Sequence, residues 1–441
     1  AHGNGMTRRL DRLVIAALVA ITALYLILFG YFIGATALRV PVFDVIYWVT
    51  HYIDYWLTGD WWGYFWMDHN GHRLMWSRLL MIATLRWPGG SVMPFILFGI
   101  ACFAVMIGTI VQEVKDADLP AAPRLVIMLL VVLLLATTFN GIDCGAPQLG
   151  VYLHTCAFAI LALVLWDAKG EGGRYAIARR IGAVVAGILA AFGVSGGLLI
   201  WPVLCWAAWR GRLGWRWIAL LFLIGVPFGL FYMYGVKPTP LVSTFDSGTL
   251  LRIADYLLRF FGLPWSHSPA LVNPGRFVGL ATIGWGAYAI LRFGILGRPR
   301  SRLERIAIGF LLFSFMTAAV IVMGRLNAAP DREMPIRYAL FTSLAQVGLL
   351  LFAAPSFAKA WAGRASPLLQ GVVLFGALLF LGQQVAAGRA GVEGVRQYTA
   401  AYRADEAGLA SDQQKALVGG DAWAQRVFDF VHAQGLFPPE R

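Results

Sequence analysis

The stretch Trp66–Leu74, WMDHNGHRL, sets Asp68, His69, Asn70, His72 and Arg73 between aromatic flanks in a chain that is only 13% charged. Carboxylate, imidazole and guanidinium groups together can move a proton, hold a phosphate or ligate a divalent ion. If helical, the segment puts Asp68 and His72 on one face at i, i+4, but Gly71 argues for a turn. Two histidines and one aspartate lack a further fixed ligand, so a divalent metal is an option that the pattern does not require. A polar cap joining two interfacial segments would use the same residue types.

Upstream, Asp44, Tyr47, His51 and Asp54 recur at i, i+3, i+7 and i+10, within an arc of about 80° at 100° per residue. Val45, Ile46, Trp48, Val49, Ile53 and Trp56 take the other side. This predicts an interfacial amphipathic helix, apolar side down, with a polar stripe toward protein or water. An aromatic-belt helix with solvated acids has the same pattern. Asp44 is singled out because it follows the first apolar segment closely, after Pro41, Val42 and Phe43. Desolvation beside apolar groups raises a carboxylate's proton affinity and a nearby cation can restore its charge, the conditions for a general base; a surface pair with Arg39 is the other reading.

Late in the chain, Gly324–Leu344 (GRLNAAPDREMPIRYALFTSL) carries Arg325, Arg332 and Arg337 with Tyr338. Arginines at a membrane boundary can hold a lipid phosphate through paired N–H groups, or simply snorkel to headgroups. The loop Lys237–Arg276 contains LLRIADYLLRFFGLPW, which reads as another interfacial helix. No Gly-rich phosphate loop, serine nucleophile elbow or zincin motif occurs.

These groups must be positioned by membrane helices. Of 441 residues 59% are apolar, and the mean hydropathy is +0.68, far from a water-soluble composition. Eleven segments approach the roughly twenty apolar residues that span a bilayer. The fifth and sixth, Ile181–Gly193 and Gly197–Trp209, are short and separated by Val194, Ser195 and Gly196, so they could form one broken hairpin. Residues 1–5, ahead of Met6, are read as an expression scar, 6–384 as the transmembrane domain, and 385–441 as a small helical extracytoplasmic tail. Within the transmembrane domain, 38–92 and 237–276 are the long outer loops.

The net charge of +13 suggests a nucleic-acid partner. With the N-terminus cytoplasmic, however, nearly all of the excess falls in cytoplasmic segments such as Arg8, Arg9 and Arg12, or Lys169, Arg174, Arg179 and Arg180. That is the positive-inside signal, and no nucleic acid is needed. His51, His69, His72, His154, His267 and His432 all map to the opposite side. The four cysteines show no CxxC spacing, so neither a disulfide framework nor a thiolate metal site is indicated.

In layout the chain resembles the GT-C class of polytopic glycosyltransferases. The resemblance rests on VPVFD with Asp44 after the first helix, an amphipathic helix in that loop, the hairpin GVSGGLLIWPVL (Gly193–Leu204) and the late loop ending IRYALFTSL. It implies an all-α fold of about eleven transmembrane helices in an inner membrane, a polyprenyl-phosphate-linked sugar as donor, and a glycan, lipid or protein hydroxyl as acceptor. It also makes Asp44 the base and Arg337 a phosphate ligand, with Asp68, His69, His72 and Arg73 lining the site. The chain departs from the class in having isolated first-loop acids (Asp44, Asp54, Asp60, Asp68), where many members carry paired ones, and in lacking a large extracytoplasmic domain. A transporter or flippase would instead need ionisable groups near the bilayer midplane, where the segments place essentially none. An O-antigen-type polymerase or ligase would rest on the late-loop arginines without Asp44.

Overall fold

The computed structural model describes residues 2–42, 44–167, 174–237, 246–266, 272–326, 334–363, 366–418 and 422–437. Among these residues the secondary structure is helical and contains no β-strand. The first helix, α1 (His2–Ala35), is succeeded by three short ones, α2 (Asp44–His51), α3 (Trp61–Trp66) and α4 (Met75–Arg86). Then come α5 (Met93–Lys115), α6 (Ala121–Leu135), α7 (Thr138–Gly145), α8 (Val151–Trp166), α9 (Arg174–Ala191), α10 (Ile200–Arg210) and α11 (Trp215–Met233). The amphipathic α12 (Ser247–Gly262) precedes α13 (Val272–Ala289), α14 (Arg302–Arg325), α15 (Ala339–Trp361) and α16 (Ser366–Glu406). Two short helices, α17 (Asp412–Val418) and α18 (Ala422–Ala433), close the described chain.

Each of the eleven apolar segments lies on helix. Among the described residues seven helices are long and apolar enough to cross a membrane: α1, α5, α11, α13, α14, α15 and α16. The pair α6 and α7, bent by 50° at its break, adds an eighth if counted as one span. The other three are α8, which is short, α9, which carries Arg174, Arg179 and Arg180, and α10, which has 11 residues. The chain is therefore a multi-pass helical membrane protein. The apolar windows of α14 and α15 are 61% buried within the protein against 17% for α11 and 22% for α16, so α14 and α15 form the centre while α11 and α16 turn side chains to lipid.

Charge is sorted along single helices. At the start of α14, Arg302 pairs with Glu113 at 2.7 Å, and Arg305 with Asp167 at 3.0 Å. This ties the ends of α5 and α8 together on one face. Arg325 stands at the other end of α14, roughly 35 Å from Arg302 at the rise of an α-helix.

The structure differs from the sequence-based expectation at two places. The stripe Asp44–Tyr47–His51–Asp54 assumed continuous α-winding, but Tyr52–Trp56 is a π-helix. The wider winding shifts the phase of the residues in and beyond it, and Asp54 instead meets Arg426 of α18 at 2.6 Å. The apolar side of α2 is packed into protein, with Val45, Ile46, Trp48 and Val49 all buried and Trp48 stacked on Phe95 of α5 at 6.1 Å. Further on, α16 passes position 384 without interruption, so the first part of the expected tail continues the last span.

Candidate functional site

His69-Asn70-Gly71-His72 is a tight turn. Asn70 and Gly71 both take positive φ (52° and 81°), the pattern of a two-residue type I′ hairpin, which the Asn-Gly dipeptide favours. The backbones of His69 and His72 exchange both hydrogen bonds at 3.0 Å. The two imidazoles are thus set side by side by the turn chemistry.

His72 is fixed from across the fold. The backbone N–H of Ser195 donates to its Nδ1 at 3.2 Å, and the Ser195 hydroxyl lies 2.8 Å from the same nitrogen. With Nδ1 accepting, the proton of the neutral ring sits on Nε2. Burial pushes His72 down to about 4, so the ring is neutral at physiological pH. Ser195 sits in the break between α9 and α10, where Val194 N–H is satisfied by Thr155 Oγ1 at 2.9 Å. A side chain at Gly193 would collide with that hydroxyl and with the carbonyl of Val151, so the break requires glycine. The expected broken hairpin is present, and its tip reaches the histidine turn.

Asp44 opens α2, where the helix N-terminus favours a negative charge. His69 Nε2 lies 3.5 Å from its carboxylate, which is 43% exposed. Partial burial pushes the Asp44 carboxyl up, but the hydrogen bond and charge of His69, with the charges of Arg337 and His72, outweigh it and hold it below the usual range. Asp44 is an anion at neutral pH.

Asp44, His69, Asn70 and His72 line a cavity of about 750 Å³ together with Arg325 and Arg337. Tyr152 and Gln148 line it as well, while α16 supplies the small residues Ala387, Ala390, Gly391 and Gly394. Arg325 Nε donates to the Tyr338 hydroxyl at 3.1 Å, and the Arg337 guanidinium lies 5.5 Å over the same ring. Buried Tyr338 thus holds both arginines without itself lining the cavity. Arg337 Nε is buried with no hydrogen-bond partner among the described residues.

The other expected residues are placed elsewhere. Asp68 accepts from the backbone N–H of Gly71 at 3.0 Å and of Lys237 at 3.2 Å, which braces the turn. Arg73, 3% exposed, donates to the carbonyls of Trp66, Tyr232 and Tyr234 and lies 5.2 Å over the Trp66 ring. Its guanidinium is committed to the backbone and ties the turn to the end of α11. His51 packs against Tyr55 at 6.2 Å, outside the cavity lining, and Asp54 is paired with Arg426. Arg332, like His267, lies outside the described residues. Among the described residues no group of three or more His, Cys, Asp or Glu side chains is arranged to hold a metal ion.

Two residues near the cavity carry no motif in the sequence. Ser195 is signalled only by the glycine-rich break between two short segments. Asp143, on the buried α7, is fully buried with neither carboxylate oxygen partnered among the described residues, and the charge of Arg337 acts on it. An acid inside FNGIDCG, between two apolar runs, was the available signal.

Fold and site together define a polytopic helical membrane protein with a polar cavity lined by one carboxylate, two histidines and two arginines. No family model, curated protein or solved structure matches the chain.

Proposed function

We propose that the protein is a GT-C-like glycosyltransferase of a bacterial-type inner (plasma) membrane, with eleven crossings, a cytoplasmic N-terminus, and its cavity and tail on the extracytoplasmic face. It moves a hexosyl or pentosyl group from a polyprenyl-phosphate donor to a hydroxyl of a glycan, lipid or protein, with inversion. One observation carries this reading: anionic Asp44 and the cations Arg325 and Arg337 line the same cavity of about 750 Å³.

In this mechanism the Asp44 carboxylate takes the proton of the acceptor hydroxyl as that oxygen bonds to the anomeric carbon. The bond from that carbon to the phosphate oxygen breaks, and its electron pair leaves with the lipid phosphate. Arg325 and Arg337 balance the charge that develops there. His69, 3.5 Å from Asp44, orients the carboxylate, and neutral His72 offers an Nε2–H donor. The small residues of α16 leave room for an amphiphile's chain.

The test is sugar transfer from polyprenyl-phosphate donors by the purified protein, comparing Asp44→Asn and Arg337→Ala with the wild type. Loss of transfer in both, with folding retained, is expected. Full activity in Asp44→Asn would overturn the base assignment. The buried, unpartnered Asp143 favours a second reading, a transporter or flippase of a lipid-linked or polar solute, since ionisable groups at membrane depth mark transport paths. Donor binding without transfer to any acceptor, together with solute movement that Asp143→Asn abolishes, would select that reading.

A further inference from the structure

A second cavity, of about 410 Å³, lies between α12, α13 and the end of α14. Its polar wall is Arg252, Asp255, Arg259 and Arg276, and its floor includes Tyr256 and Leu326. Asp255 holds Arg259 at 2.8 Å with one oxygen and Arg276 at 2.6 Å with the other, so a single carboxylate aligns two guanidiniums. Arg252 adds a third, donating to Thr249 Oγ1 at 3.2 Å. Among the described lining residues three are cations and one is an anion, with Asp246 also near Arg252. Arg259 Nε and Arg276 Nε are buried with no acceptor among the described residues.

The location indicates what this excess charge would meet. Arg276 lies near the start of the span Asn273–Leu296, and Leu326 comes directly after the span Arg302–Arg325, so the cavity is level with a membrane surface. Leu251 of its lining is 72% exposed, and Phe277 and Leu280, which follow Arg276 along α13, are 73% and 56% exposed. A cationic pocket with exposed apolar side chains beside it at the end of membrane helices matches an amphiphile whose headgroup carries phosphate.

We propose that this cavity binds the phosphate of an anionic glycerophospholipid, with Arg252, Arg259 and Arg276 on the headgroup and the chains along Leu251, Phe277 and Leu280. The site is separate from the Asp44 cavity and stands or falls independently of the transferase reading. Leu326 of this cavity directly follows Arg325 of the other, so the two cavities are neighbours.

The purified full chain in detergent is offered equal amounts of phosphatidylglycerol and phosphatidylcholine, and the retained lipid is counted by native mass spectrometry. Selective retention of phosphatidylglycerol is expected, weakened about fivefold by Arg252→Gln and more by Arg276→Gln. Arg252 is exposed, so its replacement leaves the packing intact, and an unchanged melting temperature confirms this. Equal retention of the two lipids, or no effect of Arg252→Gln, would overturn the proposal. Displacement of phosphatidylglycerol by millimolar inorganic phosphate would overturn the lipid assignment in favour of free phosphate.

Discussion

His72 and Ser195, 123 residues apart, are joined through a single imidazole nitrogen, with the Ser195 hydroxyl 2.8 Å from Nδ1 and its backbone N–H 3.2 Å away. This contact brings the break between α9 and α10 against the turn that carries His69, and His69 in turn faces Asp44. The position of the carboxylate therefore depends on a contact that neither segment makes alone.

For Asp44→Asn, transfer is expected to fall by about 10²–10⁴-fold, the usual contribution of a general base. The side chain is 43% exposed, so the melting temperature in detergent should change little. A comparable fall in both quantities would mean that Asp44 acts by supporting the fold.

Acid should destabilise the protein through its buried histidines. Burial holds His51 and His72 at about 4, against about 6.5 in the unfolded chain. Between these values the unfolded chain binds protons that the folded protein does not, so stability is full above about 6.5 and falls as the pH drops toward about 4. Asp44, held below its ordinary 3.8, adds stability above that value that is lost only at lower pH, as it falls through the folded value. Thermal unfolding from pH 7 to 4.5 should show a declining melting temperature, with a shallower decline in His72→Gln. An identical slope in that variant would mean that His72 does not contribute to the acid sensitivity.

Replacement of Arg73 should cost stability. Arg73→Ala leaves the carbonyls of Trp66, Tyr232 and Tyr234 without their buried donor, at about 3 kcal/mol in total. Arg73→Lys should rescue little, since one ammonium cannot reproduce the planar fork. Equal melting temperatures for wild type and Arg73→Ala would contradict a structural role for this guanidinium.

Two glycines of α16 should respond in opposite ways. A side chain at Gly394 meets nothing within 4 Å, whereas one at Gly391 would lie 2.5 Å from Ile142 Cδ1. Gly394→Leu should fill the cavity and block activity without loss of stability, helped by roughly 1 kcal/mol of helix propensity. Gly391→Leu should lower the melting temperature. Normal turnover in Gly394→Leu would show that the substrate does not use this wall.

The Asp54–Arg426 pair, 2.6 Å long but with Arg426 53% exposed, should contribute at most about 1 kcal/mol. Arg426→Ala is expected to raise protease sensitivity of the C-terminal helices more at low salt than at high salt. Salt-independent cleavage would show that apolar contacts such as Tyr52–Phe430 hold α18 in place.

Composition and apolar runs determined that this chain is helical and bound to a membrane, because a bilayer admits few backbone solutions and each needs a long apolar stretch. A turn at Gly71 was legible because glycine breaks a helical run, while the two successive positive φ angles at Asn70 and Gly71 came from the structure. The pairing of Asp44 with His69, and the gathering of Asp44, Arg325 and Arg337 around one cavity, needed the tertiary structure. Periodicity kept Asp54 in line with Asp44 until the π-helix at Tyr52–Trp56 changed the phase. It also could not show that Asp68 and Arg73 meet the end of α11 and spend their polar atoms on backbone. Ser195 was legible only as part of the expected break, and Asp143 lay in no motif at all. Residue type and spacing set which face a side chain takes on its own helix, but what it touches depends on elements more than a hundred residues away, and that only packing decides.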